Sequence, residues 1–213
     1  SPAPSLMERA GHAVAKLALA LEPHARSIVV AVGPGNNGGD GLVAARVLHA
    51  AGRRVVVVPT RDADAMPPDA HAAFDAALDV GVPMLDRWPE GGHDARPALV
   101  IDALLGIGAR GRPDGRLAEV WRSVNACPAP RLAVDVPSGL DADRGTAVEG
   151  GVLAARDTLT LLSVKPGLFM ADGRDACGRI WFDDLGIDPS IVEPTARLTG
   201  AALEHAARST RRH

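Results

Sequence analysis

The chain has 213 residues, of which 46% are hydrophobic and 23% charged, and its formal net charge is −3. This composition is typical of a soluble globular protein, argues against a disordered or fibrous one, and predicts a single domain over residues 1–213. The charge offers no basic field to nucleic acid and no polybasic patch to a membrane surface, so neither partner is expected.

The two cysteines, Cys127 and Cys177, lie far apart and lack the spacing of a zinc or redox motif. The chain shows no basic segment followed by an apolar leader and no run of apolar residues long enough to span a membrane. We therefore expect a cytoplasmic protein.

Helical and strand patterns alternate along the chain. They predict, in order, a helix over 5–21, a strand over 27–32, a glycine cluster at 33–41, a helix around 42–48 and a strand over 54–59. Helices around 69–78 and 117–124 follow, with strands at 98–102, 131–136, 158–163 and 179–182. This alternation predicts an α/β fold, a Rossmann-like three-layer α/β/α sandwich with a mostly parallel sheet and a ligand crevice beyond the strands' carboxyl ends.

The glycine cluster contains the pattern Gly33-x-Gly35-x-x-Gly38 between a strand and a helix. Glycines let a ligand approach the backbone, and free amides at a helix N-terminus favour phosphate, although a purely structural turn remains an alternative. The cluster lacks the lysine of a P-loop. The second strand ends at Thr60-Arg61 without the acidic residue of a typical dehydrogenase, although Asp62 follows, so a nicotinamide-dependent oxidoreductase stays open.

Two further strands end in a carboxylate. Asp102 precedes a loop in which Arg110 and Arg112 either pair with diphosphate oxygens or are merely solvated. Asp135 precedes a proline that breaks its strand, and a partly desolvated carboxylate there suits proton transfer, whereas a capping role fits Asp141 better.

Other residues at this edge suggest ligands for a cation or an anion. Asn37, Asp102 and Ser138 supply amide, carboxylate and hydroxyl oxygens suited to a hard cation. Lys165 follows another apolar strand, where it either reaches a phosphate or the reacting group or is an ordinary surface lysine.

The motifs together resemble the NAD(P)H-hydrate epimerase family. They are Leu6–Gly11, Gly33–Gly41, Asp102–Gly108, Asp135–Asp141 and Lys165-Pro-Gly, in family order, with Ile107 where threonine is common. The resemblance implies interconversion of the R and S forms of NADHX and NADPHX, which are hydrates at C6 of the reduced nicotinamide ring. It also implies a homodimer and a partner ADP- or ATP-dependent dehydratase that acts on the S form.

The resemblance assigns roles to residues of this sequence. The implied substrate contacts are Asn36, Asn37, Gly38, Gly39, Asp40, Gly106, Ile107, Gly108, Ala109, Arg110, Gly111, Arg112 and Asp135. The implied K⁺ ligands are Asn37, Asp102 and Ser138. We expect Asp135 to move the proton as the C6 hydroxyl leaves and returns on the other face through a ring cation, with Lys165 positioning the reacting group or a phosphate.

A non-catalytic role is the alternative to an epimerase. Some relatives of the implied fold serve as non-catalytic binding or scaffold modules, although they typically lose motif residues that this chain retains. The closing residues Arg211, Arg212 and His213 resemble the junction before a fused dehydratase half. They predict that the chain is the epimerase half of a longer protein.

Overall fold

Six parallel strands form one sheet in the computed structural model, which describes residues 4–89, 96–108, 111–188 and 193. The elements are α1 (Leu6–Leu21), β1 (Ser27–Val32), α2 (Asn36–Ala50), β2 (Arg54–Pro59), α3 (Pro68–Asp79), β3 (Leu99–Ala103), α4 (Gly115–Ala126), β4 (Arg131–Val134), β5 (Asp157–Leu161), α5 (Gly173–Ala176) and β6 (Arg179–Asp183). Their order across the sheet is β2-β1-β3-β4-β5-β6. The α/β fold is confirmed, and every strand pair in the sheet is parallel.

Alternate residues of the buried strands face two different helical layers. Val30 and Ile101 belong to an apolar cluster with α1, α2 and α3. Val29 and Val100 belong to a second cluster with Trp121 of α4 on the opposite face. Since a parallel sheet is buried on both sides, its strands are continuous apolar runs, and the predicted three layers are present.

The first helix is joined to α2 by its capping residues. The Ser5 hydroxyl accepts a hydrogen bond from the Glu8 amide at 3.2 Å, as the capping-box spacing predicted. The Glu8 carboxylate instead accepts hydrogen bonds of 2.8 and 2.7 Å from Arg46 on α2. The sequence thus located the start of α1 but not the partner of its acidic residue.

The structure differs from the expected boundaries in several places. Helix α2 begins at Asn36, inside the glycine cluster, whereas the apolar pattern placed it around 42–48. Strand β4 ends at Val134, two residues before the predicted end, because Asp135 adopts a positive φ of 67°. Strand β5 ends at Leu161, two residues before the end of the predicted strand at 158–163. The connection from β4 to β5, residues 135–156, contains no helix.

Some expectations fall on residues outside the described ranges. The terminal residues Arg211, Arg212 and His213 are outside the described residues, so the single domain over 1–213 and the fused partner stay predictions. Within the described ranges, no helix combines the length and apolar character needed to cross a membrane.

Candidate active site at the carboxyl edge of the sheet

The sequence-predicted site residues follow β1, β3, β4 and β5, so they lie at the carboxyl edge of the sheet. The chain runs from β1 outward to β2 and then returns to place β3 on the other side of β1. Such a reversal separates the loops of neighbouring strands and opens a crevice between them. The loops after β1 and β3 flank this crevice, and Asp135 follows the next strand.

The glycine loop leaves the first turn of α2 open to a ligand. Its N-cap, Gly35, provides no side-chain hydrogen bond, and the first turn contains no acidic residue. A Cβ at Gly38 would collide with the carbonyl group of Gly33, whereas one at Gly35 would meet nothing within 4 Å. Gly38 therefore keeps the loop tight, and Gly35 leaves room beside amides that favour an anion.

Asp102 is a fully buried carboxylate held by the loop after β4. Its oxygens accept hydrogen bonds from the Ser138 hydroxyl at 2.6 Å, the Ser138 amide at 3.0 Å and the Leu104 amide at 3.2 Å. Burial raises the pKa of Asp102, while the bonds from Ser138 and Leu104 and the charge of Arg131 oppose that rise. Among the described residues no lysine or arginine forms an ion pair with it.

The surroundings of Asp102 offer oxygen donors to a hard cation. The Leu105 amide donates to the Ser138 hydroxyl at 2.9 Å, and the next residue, Gly106, lies against the Asn37 side chain. The Asn37 Nδ2 atom is buried without a hydrogen-bond partner. Turning that amide over would present an oxygen at the same position, where a cation would satisfy it. The carboxylate, hydroxyl and amide thus form a set of oxygen donors that suits a hard cation, of which the expected K⁺ is one.

Asp135 and Lys165 form an ion pair between the ends of β4 and β5. The Lys165 ammonium group also donates to the Leu161 carbonyl at 2.6 Å, and the Leu161 amide donates to the Asp135 carboxylate at 3.1 Å. The two side chains are only 15% and 12% exposed. The sequence left open whether Lys165 is an ordinary surface residue. In the structure it is mostly buried, because the pairing of β4 with β5 brings its ammonium group against the Asp135 carboxylate.

The backbone at Asp135 is strained. Its φ of 67° lies in the left-handed region, and the amide of Val136 donates to the carbonyl of Val134 at 2.9 Å, which closes a γ-turn around it. This kind of γ-turn is rare, and such a conformation costs on the order of 1–3 kcal/mol for a residue with a side chain. The turn directs the chain away from the sheet immediately after the carboxylate, and strain of this kind is concentrated at functional sites.

Asp40 is a second carboxylate close enough to Asp135 to feel its charge, and its pKa is raised. Burial, and then the charge of Asp135, raise the pKa of Asp40 from 3.8 to about 8. In the part of the chain that the structure describes, no side chain or amide forms a hydrogen bond or ion pair with it. The resemblance marked Asp40 only as a substrate contact. Its proton-carrying character depends on a tertiary contact that the local sequence does not show.

The arginine loop after β3 is only partly described. Ala109 and Arg110 lie outside the described residues. Ile107, Gly108 and Arg112 are exposed, and the stem of Arg112 lies 3.7 Å from where a Cβ of Gly150 would stand. Their expected contacts with substrate therefore stay predictions.

Comparison with known proteins adds to this geometry. The model of the family described as YjeF-related protein N-terminus matches residues 3–167. The chain belongs to this family. A similar fold is found in the crystal structure of the yeast protein ynu0. That structure superposes with a TM-score of 0.70 at 25% identity and covers 89% of this chain and 86% of the yeast chain.

Some relatives are about as long as this chain, and others are longer bifunctional proteins. An NAD(P)H-hydrate epimerase from Limosilactobacillus fermentum is 40% identical over 87% of this chain and 88% of the relative. An NAD(P)H-hydrate epimerase from Bordetella pertussis is 38% identical over 96% of this chain and 89% of the relative. The bifunctional NAD(P)H-hydrate repair enzyme Nnr of Escherichia coli is 39% identical over 93% of this chain but only 38% of its own length. This chain thus spans little more than a third of that bifunctional relative.

Proposed function

We propose that this chain is an NAD(P)H-hydrate epimerase, which interconverts the R and S forms of NADHX and NADPHX. The observation that carries the proposal is a pair of carboxylates at one end of a dinucleotide-binding type of fold. Asp135 is ion-paired with Lys165, whereas Asp40 has a pKa raised to about 8 and holds a proton at neutral pH. The separate relatives named as epimerases match over almost their whole length, which supports the same activity here.

The two carboxylates suit a reaction that needs an acid and a base. Protonated Asp40 donates its proton to the C6 hydroxyl, which leaves as water while the lone pair of the ring nitrogen stabilises the ring cation. Water then adds to the opposite face of C6, and the Asp135 carboxylate accepts a proton from it. The reverse reaction uses the same groups in exchanged roles, and solvent resets their protonation.

Lys165 and the first turn of α2 position this chemistry. The Lys165 ammonium group holds the Asp135 carboxylate in place and balances its charge. The open amides at Asn36 and Asn37 suit the diphosphate of the dinucleotide. The reduced nicotinamide ring then extends toward β4, where Asp135 begins the next loop.

K⁺ is part of the proposal as a structural ligand. Asn37, Asp102 and Ser138 would hold it, and when bound it would balance the buried charge of Asp102 and fix the loop after β3. We expect KCl to raise the melting temperature more than NaCl of equal ionic strength, and Ser138→Ala to remove that difference. Equal effects of the two salts on the parent protein would contradict the K⁺ assignment.

A homodimer and a dehydratase partner are also proposed, from the resemblance and the relatives. Light scattering of the purified chain should give a mass near twice 22.0 kDa. The bifunctional NAD(P)H-hydrate repair enzymes among the relatives support a functional link to a second repair activity. From the resemblance we expect this activity to be an ADP- or ATP-dependent dehydratase, as a separate chain or as a C-terminal continuation of this one. A cytoplasmic location remains a prediction.

A coupled assay tests the proposed activity. An aged mixture of R- and S-NADHX is incubated with an S-specific dehydratase, its nucleotide and K⁺, and the recovery of NADH is followed with and without this protein. We expect the slow second half of the recovery to become fast. Asp135→Asn and Asp40→Asn should each lower the rate by about 10²- to 10⁴-fold, whereas Asp143→Asn, an exposed carboxylate in the same loop, should not.

The alternative of a scaffold module predicts a different result. If R-NADHX persists although the protein binds NADHX, the fold serves binding alone. The oxidoreductase alternative predicts hydride exchange with a second organic substrate, and the absence of such exchange would exclude it.

A further inference from the structure

A cavity of about 350 Å³ lies on the side of β1 away from Asp135. Its walls are Pro34 of the glycine loop, Thr60 and Arg61 after β2, and the start of α4 from Asp114 to Leu117. The Thr60 amide and hydroxyl both donate to the Val32 carbonyl, at 2.9 and 3.0 Å. These bonds fix the end of β2 against β1, so the wall of the cavity is well defined.

The position of this cavity relative to the glycine loop indicates which part of a dinucleotide it can receive. Pro34 is common to the cavity and to the loop that precedes α2, whereas Asp135 lies beyond β3 on the other side of β1. A diphosphate at the start of α2 therefore has one nucleoside toward Asp135 and the other toward the cavity. In dinucleotide-binding folds the end of the second strand contacts the adenosine ribose.

Cationic groups dominate the cavity. Arg116 donates to the Pro59 carbonyl at 2.6 Å and to the Leu85 carbonyl at 3.3 Å, so its guanidinium group is held in place by neutral acceptors. Arg61 is exposed and, among the described residues, has no hydrogen bond or ion pair. Asp114 supplies one opposing charge. Two guanidinium groups against one carboxylate leave a net positive charge, which favours an anion.

The residue types at the end of β2 specify which anion. An acidic side chain there would accept hydrogen bonds from the ribose hydroxyls and repel a phosphate. This chain has Thr60 and Arg61 there, and the exposed Asp62 one residue further on is not part of the cavity wall. An arginine at this point accommodates a 2′-phosphate. An unmodified ribose offers only neutral hydroxyls, with which a guanidinium group forms weaker hydrogen bonds than with a phosphate.

We infer that the cavity binds the adenosine half of the substrate and that Arg61 and Arg116 receive a phosphate on its ribose, so that NADPHX is preferred to NADHX. The inference rests on the proposed function for its substrate. Arg61 is a specificity-determining residue in this arrangement, because it contacts the substrate far from the reacting carbon.

The kinetic test compares both substrates on the parent protein, Arg61→Ala and Arg54→Ala. Arg54 is an exposed arginine at the opposite end of β2 and serves as the matched control. We expect Arg61→Ala to lower kcat/KM for NADPHX by about 10- to 100-fold, the range for a lost charge-assisted hydrogen bond. The value for NADHX should stay within about threefold, and Arg54→Ala should change neither. Equal losses for both substrates would overturn the inference.

A binding experiment separates this inference from the proposed function. Calorimetry with 2′-phospho-ADP-ribose and with ADP-ribose needs no turnover. The parent protein should bind the 2′-phosphorylated compound at least about tenfold more tightly, and Arg61→Ala should remove most of the difference. Equal affinities in the parent protein would overturn the inference even if the chain epimerises both hydrates. A preserved difference in a chain without epimerase activity would overturn only the proposed reaction.

Discussion

The burial of Asp40 beside Asp135 should be measurable in the pH dependence of stability. Burial and the Asp135 charge raise the pKa of Asp40 to about 8, so the folded chain keeps a proton that the unfolded chain releases above about pH 4. The contribution of Asp40 to the free energy of unfolding therefore decreases as pH rises between these two values. One pKa unit corresponds to about 1.4 kcal/mol, which sets a ceiling of about 6 kcal/mol. Because Asp40 is only partly buried, we expect about 2–4 kcal/mol.

Asp40→Asn isolates this contribution because asparagine is neutral at every pH. Urea unfolding of parent and variant between pH 5 and pH 9 gives the two free energies of unfolding. We expect the variant to gain about 2–4 kcal/mol relative to the parent as pH rises over this range, with most of the gain complete near pH 8. Asp64→Asn is the control, because the Asp64 side chain is 97% exposed. Parallel stability curves for Asp40→Asn and the parent would refute the protonated state of Asp40.

Three further predictions concern rate and stability. The turnover rate should fall as pH rises through about 8, where Asp40 loses its proton, and kinetics of Asp40→Asn should lack this alkaline decline. Gly38→Ala should cost about 1–3 kcal/mol or more in urea unfolding, because its Cβ meets backbone, whereas Gly35→Ala should stay within about 1 kcal/mol. Asp157→Ala should cost about 2–4 kcal/mol, because the 1% exposed carboxylate accepts hydrogen bonds from Arg179. Although burial opposes it, this bonding lowers the pKa of Asp157, so the deficit should shrink below pH 4.

The positions of the strands, and the edge of the sheet at which the site lies, could be predicted from the sequence because their signals are local. Each buried parallel strand is a short continuous apolar run, and β1 and β2 lie where the runs at 27–32 and 54–59 placed them. Parallel strands end at one edge, so the sequence alone assigns Asp102 and Asp135 to a common crevice. The motifs around them were specific enough to indicate the family.

The remaining features depend on contacts between distant parts of the chain. Glycine disfavours helices, yet α2 begins inside the glycine cluster, because Gly41 and its neighbours allow the helix to approach the sheet closely. The protonation of Asp40 is set by its burial and by Asp135, which is far away in sequence. The contact of Lys165 with Asp135 requires β5 to lie beside β4, which local patterns did not specify.

Direct conversion of one purified epimer tests the central claim most simply. R-NADHX, separated by chromatography and kept without any dehydratase, is incubated with the protein, and the S form is quantified over time. We expect the parent protein to bring the solution to the same R/S ratio from either pure epimer, far faster than the spontaneous reaction. Asp135→Asn should return the rate close to the spontaneous one while still binding NADHX. If the parent protein leaves R-NADHX to convert only at the spontaneous rate, the epimerase assignment is wrong.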